Sequence, residues 1–220
     1  MTRSPITYEE APVFNGIGRR NLSALLGCLK SYTRSYSTGE FILLDQERVQ
    51  HVGVVLSGMV HMIKEDPAGQ KILLHYLEPG EIFGGISALR REPMTYVSFQ
   101  AAAASTVLFL SMEHLVRPCQ NNCPFHGRFA ENVFQQAAEE NLRLIEKIEV
   151  SSKGSLREKI LCFLRQLAAK QGQKYISVPL SRTEMASYLQ ANRSAMTREL
   201  AAMRSEGLID FDGSTFVLLC

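Results

Sequence analysis

Neither sign of charge dominates this chain. Its 24 Lys and Arg face 22 Asp and Glu, a formal net of +2, so bulk charge announces neither a nucleic-acid partner nor a membrane surface. The small excess sits at one end. Residues 154–220 carry nine basic and six acidic side chains (+3), which leaves fifteen and sixteen (−1) for residues 1–153. That asymmetry leans toward an anionic partner for the C-terminal part. No apolar run follows Met1-Thr2-Arg3-Ser4-Pro5, so a secretory signal is not expected. One stretch, Pro93 to Met112, lacks charge over a membrane-spanning length. It holds Ser98, Gln100, Ser105 and Thr106 among β-branched and aromatic residues, which suits two adjacent buried strands better than a span. Five cysteines without a signal peptide point to free thiols in a reducing cytoplasm. Internal repeats and low-complexity segments are absent, as are a Gly-x-Ser-x-Gly elbow and a phosphate loop, which leaves hydrolase and nucleotide-transferase chemistry unsupported.

With 45% hydrophobic residues, the chain has enough apolar material for ordinary globular cores. Residues 13–32 read as helical, with Leu22, Leu25, Leu26 and Leu29 on one face. From about 39 to 111 the texture changes to strand-length runs, such as Val52-Gly53-Val54-Val55-Leu56 and Ile72-Leu73-Leu74-His75-Tyr76-Leu77. Turn signals at Gly39, Ser57-Gly58, Asp66-Pro67-Ala68-Gly69, Glu78-Pro79-Gly80 and Gly84-Gly85 separate them. Many short strands with glycines at the corners predict an antiparallel β-roll of the jelly-roll kind. From about 126 to 150 the period becomes helical. Phe129, Val133, Ala137, Leu144 and Ile148 form a long stripe, widened by Phe134, Ala138 and Ile145. A helix this long with a broad apolar face must bury it, either in its own β domain or against an identical helix. The elongated stripe favours a homodimer paired through it. Ser151-Ser152-Lys153-Gly154-Ser155 reads as a hinge, followed by a helix over 156–170.

The most informative segment is 180–207. Ser181 with Glu184 makes a capping box that starts one short helix. Met185, Ala186 and Leu189 are its apolar face. Gln190-Ala191-Asn192 is a tight connector, with Asn192 as N-cap of a second helix. Met196, Leu200 and Met203 give that helix a buried side, and Gly207 ends it. Two short helices joined in this way form a helix-turn-helix. The second presents Arg193, Ser194, Thr197 and Arg198 at its N-terminal end, the end by which a recognition helix enters the major groove. Arginine reads guanine O6 and N7 with two bonds, and hydroxyls reach phosphates or base edges. Ser181, Arg182 and Thr183, opening the first helix, are further candidate DNA contacts. Two strand runs around Asp212-Gly213 read as a wing hairpin. The sequence therefore predicts an α+β chain. Residues 1–125 are expected to form the β-roll, which the resemblance given next makes the effector-sensing domain, 126–150 a long dimerisation helix, and 151–220 a winged helix-turn-helix domain.

Over residues 15–219 the chain resembles the Crp/Fnr family of bacterial transcription regulators. The resemblance rests on the order of these parts. It also rests on Gly58 with the hairpin 64–71, on Leu77-Glu78-Pro79-Gly80-Glu81-Ile82-Phe83-Gly84, and on Arg157-Glu158-Lys159-Ile160-Leu161-Cys162-Phe163-Leu164. It implies a symmetric dimer on double-stranded DNA with a palindromic site, an effector bound in the β-roll beside the dimer helix, and RNA polymerase as a further partner. It places Arg193 and Arg198 where the family's DNA-contacting arginines lie. Ser194 stands where the cyclic-AMP member has glutamate, so the preferred half-site is expected to differ.

The sensor departs from the familiar members. The cyclic-AMP pocket resembles Gly-Glu-Leu followed by Arg-Ser, whereas the corresponding positions here are Gly84-Gly85-Ile86 and Thr95-Tyr96. The family's oxygen-sensing member uses an N-terminal cysteine cluster for iron–sulfur, but here Cys28 stands alone before residue 119. A haem-ligating histidine would follow the pocket glycine, where Ile86-Ser87 is found. Cyclic AMP, haem and iron–sulfur are thus disfavoured, and a small-molecule effector lined by Gly84, Gly85, Ile86, Ser87, Thr95 and Tyr96 is expected. His114, Cys119, Cys123 and His126 form a second constellation. Their spacing allows a metal, a thiol redox switch, or surface residues around a short capped helix. His51, His61 and His75 fall on separate strands with no His-x-His pair, which weakens the alternative of a metal-dependent cupin-type enzyme.

Overall fold

A computed structural model of the chain describes residues 4–66, 69, 71–88, 90–116 and 125–219. They fall into two compact units, residues 4–64 with 76–141, and residues 65–75 with 142–219.

In the first unit a 3-10 turn at Pro12–Phe14 precedes α1 (Arg19–Cys28). The single helix expected over 13–32 is split because Gly16 takes positive φ and Gly18 is extended. Then come β1 (Tyr32–Tyr36), β2 (Phe41–Leu43), β3 (His51–Ser57), β4 (Val60–Glu65), β5 (Lys71–Leu77) and β6 (Ile82–Phe83); residues 65–75, the end of β4 and most of β5, belong to the second unit. A short α2 (Gly85–Ala88), β7 (Ser98–Ala101), β8 (Ser105–Ser111) and α3 (Met112–Val116) follow. Two four-stranded sheets result, of order β1-β8-β3-β6 and β2-β7-β4-β5. This is the β-roll expected from the alternating runs. The uncharged stretch 93–112 holds β7 and β8, and among the described residues no helix is long and apolar enough to cross a membrane.

Close contacts fix the roll. Gly58 turns the β3–β4 hairpin at φ 83, and a Cβ there would lie 2.4 Å from the Ala104 carbonyl oxygen, so only glycine fits. Gly53 leaves room for the Phe83 ring, which would sit 2.3 Å from a Cβ at that position. Phe83 packs in turn against Phe99, the rings tilted with centroids 4.7 Å apart. On the other side, Val52, Val54, Leu56, Leu108 and Leu110 share one core with Leu22 and Leu25 of α1 and with Leu29, its C-cap.

The long helix α4 (Phe125–Ser152) closes that core. Phe129 stacks on Phe14 at 5.6 Å, Val133 joins the same cluster, and the Asn132 amide donates to the carbonyls of Val13 and Asn15 at 3.0 and 2.8 Å.

In the second unit, Ser155 and Glu158 form a capping box that opens α5 (Leu156–Gln171), which ends at Gly172 with φ 61. The expected hinge is shorter than predicted. Ser151 and Ser152 lie inside α4, and only Lys153-Gly154 separates it from the cap. Then come β9 (Ile176–Ser177), α6 (Arg182–Tyr188), α7 (Arg193–Ser205), β10 (Ile209–Asp212) and β11 (Thr215–Leu218). The sheet order is β10-β11-β9. Ile160, Leu164, Met185, Met196, Leu200, Met203 and Phe216 are all buried in this unit.

Candidate DNA interface and sensor segment

The helix-turn-helix forms where its caps place it. Ser181 accepts from the Glu184 N–H at 3.3 Å, and the Glu184 carboxylate accepts from the Ser181 N–H at 2.6 Å. The turn carries Gln190 at φ 54, a left-handed position that a side chain tolerates at some cost. Asn192 then caps α7, accepting from the Ala195 N–H at 2.7 Å. With Met196, Leu200 and Met203 buried, the helix turns Arg193, Ser194, Thr197 and Arg198 into solvent. This first turn of α7 is one polar, cationic surface. Thr197 and Ser194 are already oriented by bonds to the Arg193 carbonyl (2.9 Å) and the Asn192 side chain (3.0 Å).

Two of the expected contacts near α6 are used internally. Ser181 spends its hydroxyl as a cap. Arg182 donates to the Gly213 carbonyl at 2.6 Å and lies over the rings of Phe216 and Phe211 at 4.5 and 5.0 Å. It therefore pins the wing turn to α6, which accounts for its partial burial. Thr183 remains exposed. A brace that the sequence did not disclose comes from Arg157 on α5, which donates to Glu199 of α7 (2.6 Å) and with two nitrogens to Glu206 (2.6 and 2.9 Å). Arg204 similarly ties α7 to Asp210 at 2.8 Å. No local motif marks these arginines, since their acids lie on other elements.

The sensor segment is closely packed at Gly84 and Thr95. Gly84 takes φ 78, and a Cβ there would lie 3.2 Å from the His51 carbonyl oxygen. Thr95 is buried, its hydroxyl donating to the Val97 carbonyl at 2.7 Å. Tyr96 is exposed, with the Arg90 guanidinium 4.5 Å from its ring centroid. Gly85 is buried, Ser87 is half-buried, and the Ile86 side chain lies outside the described residues. None of these residues lines the described cavities. Arg90 and Arg91 are both exposed, so this segment offers no buried cation for a cyclic phosphate, and the roll beside it is filled by Phe83 and Phe99.

Known proteins resolve what this arrangement is. Residues 33–122 match the cyclic nucleotide-binding domain, and residues 158–219 match the Crp-like helix-turn-helix domain. The chain belongs to the Crp/Fnr family. The regulator is 20% identical over 197 residues to the transcriptional activator protein FnrL of Cereibacter sphaeroides, covering 86% of this chain and 76% of that one. Its fold is shared with CLP, the c-di-GMP responsive global regulator of Xanthomonas campestris. The TM-score there is 0.71 at 20% identity, over 90% of this chain and 99% of that one. It is also shared with a CooA mutant from Carboxydothermus hydrogenoformans, with a TM-score of 0.74 at 19% identity over 100% and 94%. The protein is a transcription regulator with a DNA-binding helix-turn-helix, not an enzyme.

In this Crp/Fnr regulator the long helix is two-sided in a way the stripe did not separate. Phe129 and Val133, expected at a dimer interface, are committed to the chain's own core. Ala137 and Leu144 are half-buried, and Ile148 is exposed. The apolar side that α4 leaves uncovered consists of Phe134 (68% exposed), Leu142 (54%), Ile145 (55%) and Ile148 (66%). Of the proposed metal or redox constellation, Cys119 and Cys123 lie outside the described residues. His114 Nδ1 shares a 3.0 Å hydrogen bond with Ser111 Oγ, and burial lowers the pKa of His126. Among the described residues no group of three His, Cys, Asp or Glu is placed to hold a metal.

Proposed function

We propose that this regulator works as a cytoplasmic homodimer that binds a palindromic site in double-stranded DNA, its affinity set by a small-molecule or redox signal at the β-roll and its output delivered through RNA polymerase. In this division of labour residues 1–125 sense, 126–150 dimerise and 151–220 bind DNA. The observation that carries the reading is the first turn of α7, where Arg193, Ser194, Thr197 and Arg198 are exposed together over a buried Met196. Dimerisation is assigned to the uncovered side of α4, whose exposed residues 134, 138, 141, 145 and 148 repeat at the four-then-three spacing of a paired helix.

Cyclic AMP is not the effector in this reading. A cyclic phosphate buried without a cation costs several kcal/mol, and Gly85 and Thr95 supply none. Haem and an iron–sulfur cluster are disfavoured by Ser87 and by the isolation of Cys28. A smaller or less charged ligand contacting Gly84, Ile86, Ser87 and Tyr96 once the segment opens, or oxidation of Cys119 and Cys123, supplies the signal. The test is selection from random duplex DNA with the full chain. Enrichment of an inverted repeat, bound with an affinity that falls linearly on a logarithmic salt scale, is the expected result. Recovery of unrelated sequences with no common half-site would overturn the reading. A Cys119→Ser variant that keeps the wild-type response to oxidant removes the redox alternative.

A further inference from the structure

Outside the sensor segment, the first unit carries a cleft of about 540 Å³ on the flank of the roll, within the range of small-molecule sites. Its walls are four chain segments, at residues 30, 48–51, 88 with 93, and 111–114, joined by backbone bonds. The Ser111 N–H donates to the Leu29 carbonyl at 3.0 Å, the Met112 N–H to the Gln50 carbonyl at 3.1 Å, and the Val49 N–H to the Pro93 carbonyl at 2.6 Å. The cleft is therefore preformed. Two cations line it, Lys30 and Arg48, and among the described residues neither makes an ion pair. His51 and His114 line it as well. The His51 ring is held edge-on by Tyr32 at 5.3 Å, and His114 is oriented by Ser111. The single acid on the wall is Glu113, and Val49, Pro93 and Met112 make an apolar side.

Lys30 stands in an unusual backbone state. It follows the end of α1 at φ 46, with its N–H donating to the Gly27 carbonyl at 3.1 Å and the next N–H, of Ser31, donating to the Leu26 carbonyl at 3.0 Å. That is the helix-ending motif in which glycine is the usual residue. A lysine held in the left-handed region is paid for in stability and delivers an ammonium to the cleft; such strain collects at functional positions.

We infer that this cleft binds a small phosphate monoester carrying an apolar group, its dianion held between Lys30 and Arg48 and its apolar part against Val49, Pro93 and Met112. The imidazoles of His51 and His114 supply hydrogen bonds, and burial keeps His51 neutral near pH 7 by lowering its pKa. Ala88 and Pro93, which flank the sensor segment, also line the cleft, so occupancy touches that segment from outside the roll. Its lining residues all belong to the first unit, whereas Arg193 and Arg198 belong to the second.

The test uses the full chain without DNA, phenyl phosphate and orthophosphate as probes, and calorimetry beside thermal unfolding, with chloride at matched ionic strength. Phenyl phosphate binds more tightly than orthophosphate. Arg48→Ala weakens it at least tenfold, Glu113→Gln tightens it several-fold, and the Arg193→Ala/Arg198→Ala double variant leaves it unchanged. Lys30→Gly gives the sharpest result, because the ligand-free protein becomes more heat-stable while phosphate affinity falls. If chloride reproduces the shift, or if Arg48→Ala and Lys30→Gly both bind as the wild type does, the site does not exist. If the α7 double variant abolishes binding, the probe sits on the DNA surface instead.

Discussion

Arg193 and Arg182 look alike in the sequence, each at the first position of a short helix, yet they do different work. Arg193 is exposed above the buried face of α7. Arg182 is held by Gly213 and by the rings of Phe211 and Phe216, about thirty residues further on. The local pattern that revealed both helices contains nothing that separates the two, because the aromatic partners belong to the wing. Their substitutions separate them. Arg193→Ala costs roughly 1–3 kcal/mol of binding and relaxes preference at one base of each half-site. Arg198→Ala, if its partner is a phosphate, also lowers the salt slope by about one per protomer. Arg182→Ala destabilises the fold by about 1–2 kcal/mol through the lost charged hydrogen bond and ring contacts. Any loss of DNA affinity in that variant leaves the salt slope as in the wild type. Gel-shift titrations at several salt concentrations, beside thermal unfolding, read all three.

Between elements, the feature least legible in the sequence is the cationic cluster of the second unit. His75 of β5 is buried, and the charges of Arg143, Lys170 and Lys147 add to burial in lowering its pKa to about 3. Lys147 of α4 is itself buried. Its ammonium donates to the Tyr188 carbonyl and lies 3.9 Å from the Tyr188 ring centroid, and burial lowers its pKa to about 8. Capping boxes at Ser155 and Ser181 are legible because both partners lie three residues apart. Residues 75, 143, 147, 170 and 188 come together only in the fold. The cluster makes stability depend on pH at two ends. Below about pH 6.5 the unfolded chain takes up a proton that folded His75 refuses, so stability falls as the pH drops from 6.5 toward 3. Below about pH 8 both states carry the Lys147 proton, and the burial penalty, on the order of 3 kcal/mol, is fully present. Between about 8 and 10.5 the unfolded chain holds more protons, so stability rises with pH. His75→Phe removes the acid slope and Lys147→Met removes the alkaline one. Unfolding midpoints in urea from pH 4 to 10.5 check both. A wild-type alkaline slope that persists in Lys147→Met would show that the ammonium is not the source.

At the scale of the whole molecule, α4 serves two clients, and the breadth of its apolar stripe concealed this. Periodicity reports that a helix has something to bury; it does not report against what. The side carrying Phe129 and Val133 is consumed by the roll, where α1, β3 and β8 meet it. The side carrying Phe134, Leu142, Ile145 and Ile148 is left to a partner. The two sides fail differently. Phe129→Ala opens a cavity in a filled core and costs about 3–5 kcal/mol of fold stability, whatever the protein concentration. Ile145→Asp and Phe134→Ser leave an exposed position exposed, so the folded monomer survives. In a paired helix the same changes bury an uncompensated charge or hydroxyl. Sedimentation of these two variants then gives folded monomers of 24.6 kDa at concentrations where the wild type is a dimer. DNA affinity falls with dimerisation, because two recognition helices must sit about 34 Å apart to meet successive turns of one duplex face. Asn141, exposed in the middle of the stripe, is the polar residue that fixes register in such a pair. Asn141→Leu strengthens association while allowing species larger than the dimer. A wild type that sediments as a monomer at micromolar concentration, or variants that dimerise as it does, would move the interface away from α4.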